Sequence, residues 1–146
     1  MKKIAVFTSG GDSPGMNACL RAVVRTAIFH KIDVVGILHG YDGMIKGEFI
    51  EMDSSSVANI IHRGGTVLKT ARSKEFMTLE GQKKAMENLL KHSIDGVVAI
   101  GGDGTFKGAL EFSKMCNIPF VGCPGTIDND LVGTDYSGLT TNILLE

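Results

Sequence analysis

Four short runs dominated by Val and Ile, from Ile4 to Phe7, Val34 to Leu38, Val97 to Ile100 and Pro119 to Val121, lack polar alternation and predict parallel strands buried on both faces. Between them the apolar spacing becomes helical. Leu20, Val23, Val24, Ala27 and Ile28 form one stripe on a helix from Met16 to His30. Val57, Ile60 and Ile61 repeat the spacing weakly, with Asp53 and Ser54 placed as caps. Leu79, Met86, Leu89 and Leu90 make a third stripe, and Phe106, Ala109 and Leu110 a fourth. Strands alternating with helices imply βαβ units. The expected fold class is α/β: a three-layer sandwich with a mostly parallel, Rossmann-like sheet and helices on both faces.

Composition narrows the class of function. With 146 residues, 43% of them hydrophobic and 21% charged, the chain suits one ordinary globular domain, and no repeat, linker or low-complexity tract divides it. The net charge of −1 supplies no basic field for nucleic acid. No apolar run reaches the roughly 20 residues of a membrane span, and the start MKKIAVFTSGG is too short in apolar residues for a secretory signal, so a cytoplasmic location is expected. Cys19, Cys116 and Cys123 have no metal-site spacing and are expected to be buried thiols. His30, His39, His62 and His92 show no metal spacing either.

Glycine changes the picture. The 19 glycines approach twice the average frequency of about 7%, and they cluster: Gly10, Gly11 and Gly15; Gly64 and Gly65; Gly101, Gly102 and Gly104; Gly122 and Gly125. The strand assignment puts these clusters at carboxyl ends of strands, the edge where open α/β sheets bind ligands. TSGGDSPGMN (Thr8 to Asn17) and GGDGT (Gly101 to Thr105) each lead into a helix, whose first-turn N–H groups would face a phosphate above the sheet. Neither stretch is a P-loop or a dinucleotide fingerprint. Asp103, a carboxylate among glycines, would repel polyphosphate unless a cation such as Mg²⁺ lay between them. The plainer reading of Asp103 is a helix N-cap. PGTIDND (Pro124 to Asp130) places two carboxylates two residues apart, suited either to proton abstraction and metal holding or to a simple Asx-turn.

Taken together, TSGGDSPGMNA, the RGGT and TARS between Arg63 and Ser73, GGDGT, and PGTIDNDLVGTDYS resemble the amino-terminal half of the bacterial, ATP-dependent type of 6-phosphofructokinase from Lys3 to about Ser137. PGTIDND carries most of the specificity, since loops like GGDGT also occur in diacylglycerol and NAD kinases. The resemblance implies ATP contacts at Gly11, Arg72, Ser73, Gly102, Asp103, Gly104 and Thr105, with Asp103 as the Mg²⁺ carboxylate. It implies fructose 6-phosphate contacts at Thr126, Ile127 and Asp128, with Asp128 as the base for the sugar 1-hydroxyl; Asp130 and Thr126 join it in the catalytic set. Pyrophosphate-dependent relatives carry Asp and Lys where this chain has Gly104 and Gly125, which implies ATP as donor.

Arg21 and Arg25, spaced i, i+4, match part of the family's effector site for ADP or phosphoenolpyruvate, although Ser54 and Asn59 replace an arginine and an aspartate often found nearby. The resemblance further implies a glycolytic enzyme that forms homo-oligomers, tetramers in the family, with no nucleic-acid or membrane partner. The other readings are a different GGDGT-type kinase acting on lipid or NAD, and a fragment that only binds nucleotide. Residues 1–146 are read as a single ATP-binding domain truncated at its carboxyl end. Gly138 to Glu146 are expected to form at most a stub of helix, with the clamp for the sugar 6-phosphate lying beyond the chain.

Overall fold

The computed structural model describes residues 1–10, 15–125 and 144–145. Among the described residues six strands form one sheet in the order β3-β2-β1-β4-β5-β6, with β1 (Lys3–Thr8), β2 (Asp33–Ile37), β4 (Gly96–Gly101) and β5 (Phe120–Pro124) mutually parallel. The flanking strands β3 (Phe49–Met52) and β6 (Leu144–Leu145) run antiparallel to their neighbours. The expected three-layer α/β sandwich is therefore present, with a mixed sheet.

Side-chain alternation along β1 sorts the core into two halves. Ala5 and Phe7 join Val35, Val97 and Ala99 beneath α2 (Gly40–Lys46), α3 (Leu79–Lys91) and α4 (Asp103–Cys116). Ile4 and Val6 face the other way, under α1 (Met16–Phe29) and the segment that buries Val57, Ile60 and Leu68. The parallel strands are apolar on both faces because both faces are covered.

The predicted first helix ends at Phe29, and its expected stripe is buried at Leu20, Val24 and Ala27, with Val23 and Ile28 packed at its border. Two other stripes are met only in part, by Leu89 and Met86 in one and Ala109 in the other. In α3 the buried residues are Gly81, Ala85 and Leu89, whereas Leu79 and Leu90 are 62% and 58% exposed. In α4 they are Thr105, Ala109, Phe112 and Cys116. The helix expected behind Asp53 and Ser54 is only the 3₁₀ turn Ser55–Val57. Asp53 does cap it, accepting from the Ser56 N–H at 3.0 Å and the Ser55 hydroxyl at 2.6 Å. Serine side chains compete for backbone groups, and Asn59 is left-handed at φ 60°, so the turn does not propagate. Of the segment expected to form a helical stub, Leu144–Leu145 pair with Val121 and Gly122 as a strand, and residues 138–143 and 146 lie outside the described residues.

β1 is the switch point of the sheet: the chain leaves it toward β2 on one side and later returns to β4 on its other side. Crevices in such sheets open outside the carboxyl ends of the strands beside that point. Here those ends are Thr8 and Gly101.

Candidate active site at the switch point

A pocket of about 550 Å³ lies over the ends of β1 and β4. Ser9 and Gly10 enter it from β1, Gly104, Thr105 and Gly108 from α4, and Tyr41 and Phe76 from the flanking layer. The segment from Thr70 to Ser73 supplies its remaining side. Of the residues expected to contact ATP, Arg72, Ser73, Gly104 and Thr105 thus come together from positions some 30 residues apart in sequence. Gly102 and Asp103 immediately precede that wall without lining it. Gly11, Thr126, Ile127, Asp128 and Asp130 lie outside the described residues.

Close approach of backbone makes the junction of β4 and α4. The Ser9 N–H donates to the Ile100 carbonyl at 2.9 Å, and the Gly125 N–H to the Gly101 carbonyl at 2.7 Å. A Cβ on Gly101 would stand 2.6 Å from Thr105 Oγ1 and 2.8 Å from the Ser9 carbonyl oxygen, so only glycine fits. At Gly104 an added Cβ would meet nothing within 4 Å, because the space beyond it is pocket.

Among the described residues, no side chain caps the helices that face this edge: α1 follows Gly15, at φ 92°, and α4 follows Gly102. By contrast α3, away from the edge, is capped by the Thr78 hydroxyl accepting from the Gly81 N–H at 3.0 Å. Uncapped first turns present N–H donors and the positive end of the helix dipole to an anion. Asp103 is the first residue of α4 rather than its N-cap; its carboxylate is 60% exposed and pairs with Lys107 at 3.0 Å.

The loop that carries Arg72 is held from the sheet. Thr8 donates to the Lys69 carbonyl at 3.1 Å, so its single proton is engaged there, and Thr66 must donate to Thr8 across 2.9 Å. Leu68 N–H in turn donates to the Thr66 hydroxyl at 3.3 Å. Asn17 of α1, only 2% exposed, grips the preceding stretch by donating to the Arg63 carbonyl at 3.3 Å and accepting from Val67 N–H at 2.9 Å. The RGGT stretch is therefore a brace between α1 and β1.

Tyr41 and Phe76 were not legible as site residues. Their rings stack with centroids 4.0 Å apart, and the Tyr41 hydroxyl donates to the Thr105 carbonyl at 2.6 Å. Burial pushes the Tyr41 pKa upward, which keeps the hydroxyl a donor at all ordinary pH. The signal that could have found Tyr41 is a buried aromatic with a polar tip just after β2, where the sequence offers no periodicity. Arg21 is half-buried and Arg25 exposed on α1, and neither lines the pocket. All three cysteines are free and buried, as expected.

The profile of the family described as Phosphofructokinase matches residues 3–143. The chain is 61% identical over 137 residues to an ATP-dependent 6-phosphofructokinase of Cytophaga hutchinsonii, covering 94% of this chain and 42% of that protein. It is 60% identical over 137 residues to ATP-dependent 6-phosphofructokinase 1 of Thermus thermophilus, with the same coverage of 94% and 42%. It therefore spans less than half the length of these curated relatives. Among solved structures, the phosphofructokinase of Saccharomyces cerevisiae superposes with a TM-score of 0.91 at 40% identity, over 94% of this chain and 22% of that one. A pyrophosphate-dependent phosphofructokinase from Marinobacter aquaeolei superposes with a TM-score of 0.83 at 26% identity, over 94% and 36%. With a pocket at the switch point, uncapped helix starts beside it and a family match from residue 3 to residue 143, the chain belongs to the phosphofructokinase family.

Proposed function

We propose that the full-length protein carrying this chain transfers the γ-phosphoryl group of ATP to the 1-hydroxyl of fructose 6-phosphate, and that residues 1–146 supply the nucleotide side and the catalytic carboxylate. The observation that carries this reading is the meeting of Arg72 and Ser73 with Gly104 and Thr105 across one pocket. The relatives that cover most of this chain are named ATP-dependent 6-phosphofructokinases. Membership of that family leaves a lipid or NAD kinase reading without support.

In this reading Arg72 offers a planar donor fork to the phosphates, and the first turns of α1 and α4 add backbone N–H groups. The oxygen of the sugar 1-hydroxyl attacks the γ-phosphorus, the bond to the β–γ bridging oxygen breaks and ADP departs, while Asp128 takes the hydroxyl proton. Asp130 and Thr126 support that carboxylate, and Thr126 and Ile127 border the sugar.

Asp103 fits Mg²⁺ by its chemistry: one exposed carboxylate, paired among the described residues with Lys107, next to Gly104 and Thr105 of the pocket wall. When bound, Mg²⁺ would neutralise charge on the transferred group.

The donor follows from Gly104, whose missing side chain leaves room and adds no negative charge where the ATP α-phosphate would lie. Arg21 and Arg25 are the proposed contacts for an ADP or phosphoenolpyruvate effector. A cytoplasmic homo-oligomer, tetrameric as in the family, completes the reading; no helix among the described residues is long and apolar enough to cross a membrane. The test is a steady-state assay of full-length protein with fructose 6-phosphate and either MgATP or pyrophosphate. ATP-driven formation of fructose 1,6-bisphosphate is expected, and turnover with pyrophosphate alone would overturn the donor assignment.

A further inference from the structure

Cys19 and Cys123 lie in the same buried cluster on the α1 side of the sheet, 4% and 1% exposed. An independent contact fixes how their elements face each other: a Cβ on Gly125 would stand 3.5 Å from Met16 Cγ. Cys123 lies two residues before Gly125 at the end of β5, and Cys19 follows Met16 by about one turn of α1, so the two side chains enter the same cluster from facing elements.

Cys123 also borders an open, mainly apolar pocket of about 360 Å³, between Ala22, Val23 and Thr26 of α1 and Ile4 and Val98 of the sheet. A small neutral molecule can thus reach the sulfur although the residue has almost no surface of its own.

We propose that Cys19 and Cys123 form a redox-responsive dithiol, which a small neutral peroxide reaching Cys123 through this pocket converts into a disulfide. Interaction with Cys19 favours thiolate at Cys123, holding its pKa below the ordinary thiol value against the effect of burial. Cys123 borders the pocket and Cys19 does not, so Cys123 meets the oxidant and Cys19 serves as the resolving thiol.

With hydrogen peroxide the steps balance. The Cys123 thiolate attacks one peroxide oxygen, the O–O bond breaks, and the departing hydroxide takes a proton to leave as water; Cys123 becomes a sulfenic acid. The Cys19 sulfur then attacks the Cys123 sulfur, the S–O bond breaks, and hydroxide leaves with the Cys19 proton as a second water. Two thiols lose two electrons, and peroxide is reduced to two waters. The new bond would tie α1 to the end of β5, directly before PGTIDND.

The test uses the full-length wild-type protein, exposed to hydrogen peroxide under native conditions, alkylated, and digested with trypsin and chymotrypsin. Trypsin leaves Cys19 on a peptide ending at Arg21, and cleavage after Phe120 separates Cys116 from Cys123. A peptide linking Cys19 to Cys123, two hydrogens lighter than its parts and lost on treatment with dithiothreitol, is expected, with Cys116 alkylated throughout. Both thiols remaining alkylatable, or Cys123 passing to sulfinic acid while Cys19 stays reduced, would overturn the proposal. In Cys19→Ala, a dimedone adduct should accumulate on Cys123. Its absence in folded protein would mean the pocket does not admit the oxidant.

Discussion

The Tyr41 hydroxyl donates to the Thr105 carbonyl across 2.6 Å, though 64 residues separate them in sequence. This bond couples the layer of α2 to the first turn of α4 at the point where the pocket needs both. Tyr41→Phe keeps the ring stacked on Phe76 and removes only the bond. Stability should fall by about 1 kcal/mol, the usual net worth of one hydrogen bond. In full-length protein, ATP affinity should weaken while that for fructose 6-phosphate holds. Denaturant midpoints and nucleotide titration check the two parts, and unchanged values of both would remove Tyr41 from the site.

Gly104→Asp isolates the donor site from the fold. Since an added Cβ meets nothing within 4 Å, folding should be unaffected, whereas the carboxylate would crowd and repel the ATP α-phosphate. ATP binding is expected to weaken far more than sugar-phosphate binding, read by calorimetric titration. Equal losses for both ligands would contradict the assignment.

Gly101→Ala should act in the opposite way. Its Cβ would press on Thr105 Oγ1 at 2.6 Å and the Ser9 carbonyl at 2.8 Å, a clash with backbone that cannot rotate away. A loss of roughly 1–3 kcal/mol, typical of overpacking, is expected, and an unaltered melting temperature would disprove the close packing.

Asp128→Asn, on the proposed function, should lower turnover of the full-length enzyme by roughly 10²-fold or more, with sugar-phosphate binding largely intact, as removal of a general base does. Unchanged kcat would reassign the base.

Asp95 gives a pH signature away from the site. Its carboxylate accepts from the Lys2 and Lys3 N–H groups at 2.8 and 3.0 Å, which hold its pKa below the ordinary 3.8. A lowered folded-state pKa contributes stability above the unfolded value and loses it as pH falls through the folded one. The melting-temperature gap between wild type and Asp95→Asn should therefore be full at neutral pH and shrink as the pH falls below the ordinary carboxylate value. A gap that persists at low pH would point to a role other than charge.

The parallel strands and α1 were legible because burial on both faces or on one stripe leaves a pattern that survives in sequence. Leu79 and Leu90 misled because leucines can stand on an exposed face, while small Gly81 and Ala85 join the expected Leu89 in the contact of α3. At the site, Arg72, Ser73, Gly104 and Thr105 were readable as motif residues. The role of Tyr41 was not, since it depends on a partner 64 residues away that no local spacing encodes. β3 escaped for a related reason: as an edge strand it leaves Ile50 and Glu51 exposed and so shows no apolar run.

The hydroxyl relay from Thr66 through Thr8 to Lys69 spans sequence separations of 58 and 61 residues, so β1 must already be in place before the Arg72 loop has anything to hold. The ligand-binding edge is then a late addition to folding and an early departure on local opening, detachable while the strands stay zipped. Native-state hydrogen exchange should show the amides of residues 66–73 opening at lower free energy than those of β1 and β4. Nucleotide should slow that exchange specifically, making occupancy of the pocket visible as a change in the lifetime of one loop.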